Sequence, residues 1–311
     1  MRIVFIGAGE IGVPTLQALL ESEHEIVGVV TQPDKPVGRA QHIEPPPIKR
    51  ALTESKVPIL QPARVKDRQA IEEIRALQPD AIVVMAYGQI LPRSVLEIPR
   101  IACLNLHASL LPRWRGAAPI QAAIAAGDSE TGITVMYMAE GLDIGDILLQ
   151  RRIDISPTDT GGALHDQLAR VAPDALHEAL QMLAKDNAPR IPQDNALATY
   201  APKLTRDDGK IDWSEPAEVI ERKIRAFNPW PGAFMSIDGR NVKIFSAAIV
   251  DLSGKPGEFL RSEKNLVIAA GKGALSLSEV QLEGKLRMSA SEFVRGFHAL
   301  SSERSEGRQT S

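Results

Sequence analysis

One cysteine in 311 residues leaves no intrachain disulfide to be made, so the fold must rest on a packed core rather than on cross-links. Cys103 lies in the apolar run Ile101-Ala102-Cys103-Leu104 and reads as a small core residue rather than a nucleophile. Long apolar runs are also missing. None approaches the roughly 18 residues needed to cross a bilayer as a helix, which argues against membrane spans. Nor does charge of one sign dominate: 36 Lys and Arg stand against 39 Asp and Glu, a net −3. That balance gives no bulk electrostatic reason to expect a nucleic-acid partner. The start Met1-Arg2 runs straight into a strand pattern without the apolar core of a signal peptide, so a cytoplasmic location is expected. The histidines His24, His42, His165, His177 and His298 show no ligand spacing, and no metal is expected.

What is present is a globular composition, 44% hydrophobic and 24% charged, on a chain long enough for two domains at roughly 150 residues each. The first part alternates short apolar runs with helical patterns. Ile3 to Ile6 reads as strand, Val13 to Leu20 as helix and Ile26 to Val30 as strand. Helices follow around Ile48–Thr53, Ala70–Leu77 and Ile120–Ala126, with strands at Ala81–Met85 and Ile101–Leu106. This rhythm implies an α/β, Rossmann-like parallel sheet covered by helices. Residues 31–47 contain Pro33, Pro36, Pro45, Pro46 and Pro47 and read as a long surface loop, neither helix nor central strand. A helix is expected over Leu164 to Leu183. The run Ala188-Pro189-Arg190-Ile191-Pro192 and onward has the composition of a linker. Beyond Lys210, apart from a helix around Ala217–Phe227, short strands alternate with turns such as Asp238-Gly239, as in a small OB-like β-barrel. The expected division is 1–189, a linker 190–206, and 207–311 with a mobile tail from Ser301 to Ser311.

Gly7-Ala8-Gly9-Glu10-Ile11-Gly12 fits the G-x-G-x-x-G dinucleotide pattern between a strand and a helix. The second strand, however, ends without the ribose-binding carboxylate that the pattern requires. Asp34 falls inside the Pro-rich loop, so the glycines read better as permitting a tight turn.

The segment Asn105 to Gly116 carries more. Strand side chains repeat every two residues, so Asn105 and His107 project into one space at the C-terminal end of their strand, the edge where α/β sheets bind ligands. A strand-terminal histidine alone more often has a structural role, though the adjoining amide and the Pro-stiffened loop favour chemistry here. Farther on, Asp143 stands in the glycine-bounded turn Gly141-Leu142-Asp143-Ile144-Gly145, where a turn-forming role is equally open. Together an amide donor, an imidazole and a carboxylate suit a tetrahedral intermediate. Amide and ring stabilise the oxyanion, the ring moves a proton and the carboxylate holds the ring's tautomer.

Asn105, the run His107-Ala108-Ser109-Leu110-Leu111-Pro112 and the Gly-Leu-Asp-x-Gly turn resemble the signature of the folate-dependent formyltransferases. The extension Arg113 to Gln121, Tyr200 to Thr205 and Ile224 to Ala233 resemble the branch that acts on an aminoacyl-tRNA. The resemblance runs from Arg2 to about His298. It implies that Asn105, His107 and Asp143 are catalytic, passing the formyl group of 10-formyltetrahydrofolate to the methionine α-amino group of methionyl initiator tRNA. It implies folate contacts from Ser109, Leu110, Leu111, Pro112, Tyr87, Gly88, Gln89, Ile90, Leu91 and Gly141. It also places Arg39, in the Pro-rich loop, at the tRNA acceptor end, and it makes the second domain a tRNA-binding barrel. The family commonly has Gly-Thr-Pro at the first turn and Thr or Ala after the catalytic Asp. Here those positions read Gly7-Ala8-Gly9 and Ile144.

Divided at residue 206, the whole net charge of −3 lies in the first part and the second part balances. Any tRNA contact must therefore be local, from Arg113, Arg115, Lys203, Arg206, Arg222, Lys223 and Arg225, and a continuous basic stripe is expected. A monomer is expected. The competing readings are a formyltransferase for amino-sugar nucleotides, a nicotinamide-dependent oxidoreductase and a non-catalytic RNA-binding module.

Overall fold

The computed structural model describes residues 1–38, 41–260 and 266–296. Its contacts divide the chain into two units. The first comprises Met1–Ile120, Ser129–Asp154 and Leu164–Lys203. The second comprises Gln121–Asp128, Ile155–Ala163 and the chain from Leu204 onward. The chain thus contributes to the second unit twice before residue 204. Residues 190–203, expected as linker, belong to the first unit, where Ile191 exchanges backbone hydrogen bonds with Ile147 at 2.8 and 3.0 Å.

In the first unit the strands are β1 (Arg2–Gly7), β2 (Glu25–Val30), β3 (Lys35–Val37), β4 (His42–Glu44), β5 (Ile59–Leu60), β6 (Ala81–Met85), β7 (Ala102–His107), β8 (Arg115–Gly116), β9 (Glu130–Tyr137), β10 (Ile147–Asp154) and β11 (Tyr200–Ala201). Seven of them form one sheet in the order β10-β9-β7-β6-β1-β2-β5. The five from β5 to β7 are parallel, and β9 and β10 are antiparallel additions at one edge. β1 and β6 are buried along almost their whole length, which is why they read as unbroken apolar runs rather than alternating ones. The strand order reverses between β1 and β6, and the C-terminal ends of these strands flank the crevice where such sheets bind ligands.

The turn after β1 leads into α1 (Val13–Leu20). A Cβ on Gly7 would lie 2.8 Å from the Met85 carbonyl oxygen, so the residue must be glycine for β1 and β6 to meet here. The amides of Ala8 and Gly9 both donate to the Ala86 carbonyl, at 3.3 and 3.2 Å. They are therefore engaged within the protein. Asp34 is equally engaged, accepting from Lys49 Nζ at 2.9 and 2.8 Å and from Gln61 Nε2 at 2.7 Å. The Gln61 and Lys49 contacts hold its carboxyl below the usual range. Both halves of a dinucleotide fingerprint are thus spent on the fold.

The Pro-rich stretch differs from the structureless loop its composition suggests. β3 and β4 pair as a short antiparallel ribbon outside the main sheet, Lys35 opposite Glu44 and Pro36 opposite Ile43. A two-stranded ribbon is all edge, so proline fits it. Pro47 then opens α2 (Pro47–Arg50) at a position that tolerates a missing N–H. Arg39 and the tail Ser301–Ser311 lie outside the described residues. The remaining helices are α3 (Arg68–Ala76), α4 (Arg93–Leu96), α5 (Pro119–Ala126), α6 (Gly161–Ala184) and α7 (Ala217–Ala226). Leu164, Leu168, Ala172, Ala175, Leu176, Ala179 and Leu180 give α6 one buried stripe at helical spacing. Cys103 is core, packed with Ile82 and Val84, and burial pushes its thiol up to about 12. Among the described residues no helix is long and apolar enough to cross a membrane.

In the second unit β12 (Ala233–Ile237), β13 (Arg240–Val250), β14 (Phe259–Leu260), β15 (Leu266–Ala269), β16 (Ala274–Leu282) and β17 (Met288–Ser289) form one antiparallel sheet. Its order is β12-β13-β16-β15-β14, with β17 on β16. Asp238 and Gly239 both take positive φ, 48° and 73°, as the two-residue hairpin between β12 and β13 requires. Register shifts around Ser246 bend β13, and the curled half-barrel wraps a core that includes Met235, Val242, Ile244, Leu275, Leu277 and Val280. Helix α7 presents Ala217, Ile220 and Ile224 to that core.

Candidate active site

β7 brings Asn105 and His107 to one end of the sheet, opposite Met136 and Thr134 of β9. Asn105 is half-buried, and among the described residues no protein hydrogen bond holds its amide, so its donors are uncommitted. His107 is 6% exposed. Its Nε2 lies 2.8 Å from the Trp114 carbonyl oxygen, a contact that requires the proton on Nε2. Nδ1 faces the Asp143 carboxylate at 3.6 Å. That separation is ion-pair distance, longer than a hydrogen bond.

Asp143 reaches this position through an unusual backbone. Its φ is +53°, a conformation that L-residues with a Cβ seldom adopt but that Asp tolerates better than most. The turn is closed on both sides. A Cβ on Gly145 would lie 1.7 Å from the Tyr137 carbonyl oxygen. The amide of Gly116 donates to Asp143 Oδ2 at 2.8 Å. Trp114, whose carbonyl meets His107, also has positive φ, +61°, and its amide donates to Thr199 Oγ1 at 2.9 Å.

The loop after β7 is internally bound. Ser109 is fully buried and its Oγ donates to the Arg113 carbonyl at 2.6 Å. Thr134 Oγ1 donates to the Ser109 carbonyl at 2.6 Å and accepts from the Leu111 amide at 3.1 Å. Gln150 Nε2 donates to Leu111 O and to Thr134 Oγ1, each at 2.9 Å. Leu111 is buried with Met136 and Ile147. The resemblance assigned Ser109 and Leu111 to the folate. The structure gives their side chains to the loop's own framework, leaving the half-buried Leu110 and Pro112 as its partly exposed members. Thr134, Gln150, Gln193 and Thr199 are functional neighbours that sequence reasoning missed. The register of β9 on β10, which pairs Thr134 with Gln150, is the one signal that could have linked two of them.

At the end of β6, Tyr87 and Leu91 are core residues. Among the described residues the buried Tyr87 hydroxyl has no partner, and desolvation pushes it up to about 12. Gln89 is tied to the Val65 amide at 2.9 Å and the Ala63 carbonyl at 3.2 Å. What reaches solvent is apolar and open: Gly88, with no described residue beyond its chain neighbours within 4 Å of where a Cβ would stand, and Ile90 at 82% exposure. On the Asp143 turn, Leu142 and Ile144 are likewise exposed, and Ile144 Cδ1 would lie 2.6 Å from a Cβ on Gly141. Exposed apolar side chains flanking open backbone suit the flat ring of a pterin or aryl group.

The expected tRNA cations are placed unevenly. Arg113, Lys203 and Arg206 are exposed, Arg113 with its guanidinium 4.7 Å above the Trp114 ring. Arg115 is buried and bound to Gln193 and Asn195, so its side chain is committed inside its own unit. On α7, Lys223 pairs with Glu215 at 2.6 Å and Arg225 with Glu221 at 2.6 Å. Arg222 Nε donates to the Ala125 carbonyl at 3.2 Å. Each of these three therefore has a partner within the second unit. Arg39 lies outside the described residues. Among the described residues no three His, Cys, Asp or Glu side chains converge as a metal site.

Comparison with known proteins bears on this site. The formyl transferase domain matches residues 1–180, and the formyl transferase C-terminal domain matches residues 203–298. The chain is 44% identical over 298 residues to the methionyl-tRNA formyltransferase of Geobacter sulfurreducens, covering 96% of this chain and 94% of that one. It is 51% identical over 285 residues to that of Pseudomonas putida strain W619, covering 91% and 92%. The fold is shared with the N-formyltransferase of Helicobacter canadensis, solved with folinic acid and dTDP-3-aminofucose. That likeness has a TM-score of 0.65 at 18% identity, over 89% of this chain and 98% of the other. With both of its domains matched and such identity along nearly its full length, the chain belongs to the formyl transferase family.

Proposed function

We propose that the chain transfers the formyl group of 10-formyltetrahydrofolate to the α-amino group of methionyl initiator tRNA, in the cytoplasm, for translation initiation. The observation that carries the chemistry is the His107–Asp143 pair beside the uncommitted amide of Asn105. The acceptor follows from the curated relatives, which bear the name methionyl-tRNA formyltransferase over nearly their whole length.

The amine nitrogen attacks the formyl carbon, and the carbonyl electron pair moves to oxygen. Asn105 Nδ2 donates to that oxyanion, and so does the His107 ring, for which Nε2 must exchange the Trp114 carbonyl for the substrate oxygen. Fixed donors of this kind lower the barrier because they need no reorganisation as charge develops. Asp143 compensates positive charge on the ring. The intermediate collapses by re-forming the carbonyl and breaking the bond to the folate's anilinic nitrogen. The attacking amine gives up one proton and the leaving nitrogen gains one, with no covalent enzyme intermediate. The exposed Gly88, Ile90, Leu142 and Ile144 support folate binding. Arg113, Lys203 and Arg206, with Arg39, are assigned to tRNA phosphates. The enzyme acts as a monomer.

The test is formylation with 10-formyltetrahydrofolate, comparing initiator with elongator methionyl-tRNA and with dTDP-3-aminofucose as alternative acceptor. Only the initiator should be formylated efficiently. His107→Ala should lower kcat roughly 10²- to 10⁴-fold while the protein stays folded. Full activity in that variant refutes the assigned chemistry, and efficient formylation of the sugar nucleotide refutes the assigned acceptor.

A further inference from the structure

Two side chains outside the reacting set hold the turn that carries Asp143. Arg115 is 2% exposed, a burial that a guanidinium tolerates only where its donors are matched. Gln193 Oε1 accepts from its Nε at 3.0 Å and from its Nη2 at 2.8 Å, and Asn195 Oδ1 lies 2.9 Å from the same Nη2. This grip decides which way the Gln193 amide points, because reversing it would set N–H groups against the guanidinium and oxygen against carbonyls. With Oε1 on Arg115, Nε2 donates to the carbonyls of Asp143 at 2.8 Å and Gly145 at 2.7 Å. Both carbonyls belong to the turn on which Asp143 holds its positive φ. Such a conformation persists where the surroundings over-determine it. The short strand β8 contributes at two points, supplying the Arg115 guanidinium to Gln193 and the Gly116 amide to the Asp143 carboxylate.

We propose that Gln193, oriented by Arg115, is a positioning residue for formyl transfer. It fixes the Asp143 carboxylate against His107 by holding the backbone of the turn, without touching substrate. This rests on the catalytic assignment of Asp143 and His107 made above. It gives Arg115 a place in the machinery other than phosphate contact, and it gives the stretch that reads as linker a direct bearing on the reaction.

The test uses the full-length protein in steady-state formylation with saturating donor and methionyl initiator tRNA. Gln193→Glu leaves Arg115 an acceptor and removes the two N–H donors to the turn. We expect a cooperative thermal transition, KM values for both substrates within about twofold of wild type, and kcat lowered roughly ten- to a hundredfold. In the Asp143→Asn background the same substitution should cost nothing further, since it acts through a carboxylate already lost. Arg115→Lys, which cannot satisfy Gln193 and Asn195 together, should lose kcat in wild type and again be silent beside Asp143→Asn. If Gln193→Glu does not fold, Arg115→Lys in the two backgrounds decides. Wild-type kcat in the folded variant, or an equal fold-loss in both backgrounds, overturns the clamp alone. Wild-type activity in Asp143→Asn overturns the catalytic set and the clamp with it.

Discussion

Adding one methyl group at Gly145 should disable the enzyme without touching any reacting atom. In Gly145→Ala the new Cβ would start 1.7 Å from the Tyr137 carbonyl oxygen and 2.9 Å from its carbon. Both obstacles are backbone of β9, which is buried along all but its first residue and cannot swing aside like a side chain. Restoring even a 3.0 Å contact requires the turn to retreat by about 1.3 Å. That retreat opens the 2.9 Å hydrogen bond from the Tyr137 amide to the Asp146 carbonyl, and it carries Asp143, two residues away, from its place beside His107. Misplacement of about 1 Å in a catalytic group can cost on the order of 10²-fold in rate. The overpacking itself should destabilise by roughly 1–3 kcal/mol. Single-turnover formylation at saturating donor reads the first effect, and urea unfolding reads the second. A variant that keeps wild-type rate and wild-type stability would refute the claim that the turn is held by close backbone packing.

Tyr87→Phe removes a buried hydroxyl that has no partner among the described residues, so stability at pH 7 should be unchanged or slightly higher, whereas a clear fall in Tm would count against this. The phenol is raised to about 12 from 10.0. Its neutral form is favoured in the folded state, and the unfolded chain therefore releases the proton first. Stability should fall between about pH 10 and 12 in wild type and fall less steeply in the variant, as alkaline unfolding curves would reveal. Cys103, buried and raised to about 12, should resist iodoacetamide in the native protein at pH 8 and react once urea unfolds it, with mass spectrometry as the readout. Lys203→Ala and Arg206→Ala should each raise KM for tRNA with little change in kcat and reduce the salt dependence of KM by about one phosphate contact. An unchanged salt slope in both would remove these cations from the tRNA interface.

The sequence made the parallel sheet legible because burial on both faces leaves its strands as plain apolar runs, Ile3 to Ile6 and Ala81 to Met85 among them. Asn105 and His107 were legible for a local reason, the two-residue period of one strand. Asp143 was legible because two glycines mark a turn. What escaped was tertiary. Nothing local ties Gln193 to Asp143, fifty positions away, or shows that Arg115 is buried while Arg113 is exposed. Composition also misled at residues 31–47, where proline density argues against a central strand but leaves open a ribbon made only of edges. The α7 cations looked available because Lys223 and Arg225 were counted without their carboxylate partners and Arg222 without the distant Ala125 carbonyl.

The turn after β1 has a wider lesson for reading glycine patterns. To present Ala8 and Gly9 amides to a phosphate, the protein would first have to surrender both bonds to Ala86, at about 1 kcal/mol each and more if the carbonyl stayed dry. The motif therefore records a seam between neighbouring strands, stitched shut from within. Whether such a motif recruits a nucleotide is decided by the carbonyl across the gap, just past the end of a strand more than seventy residues downstream, and not by the six letters that a pattern search would score.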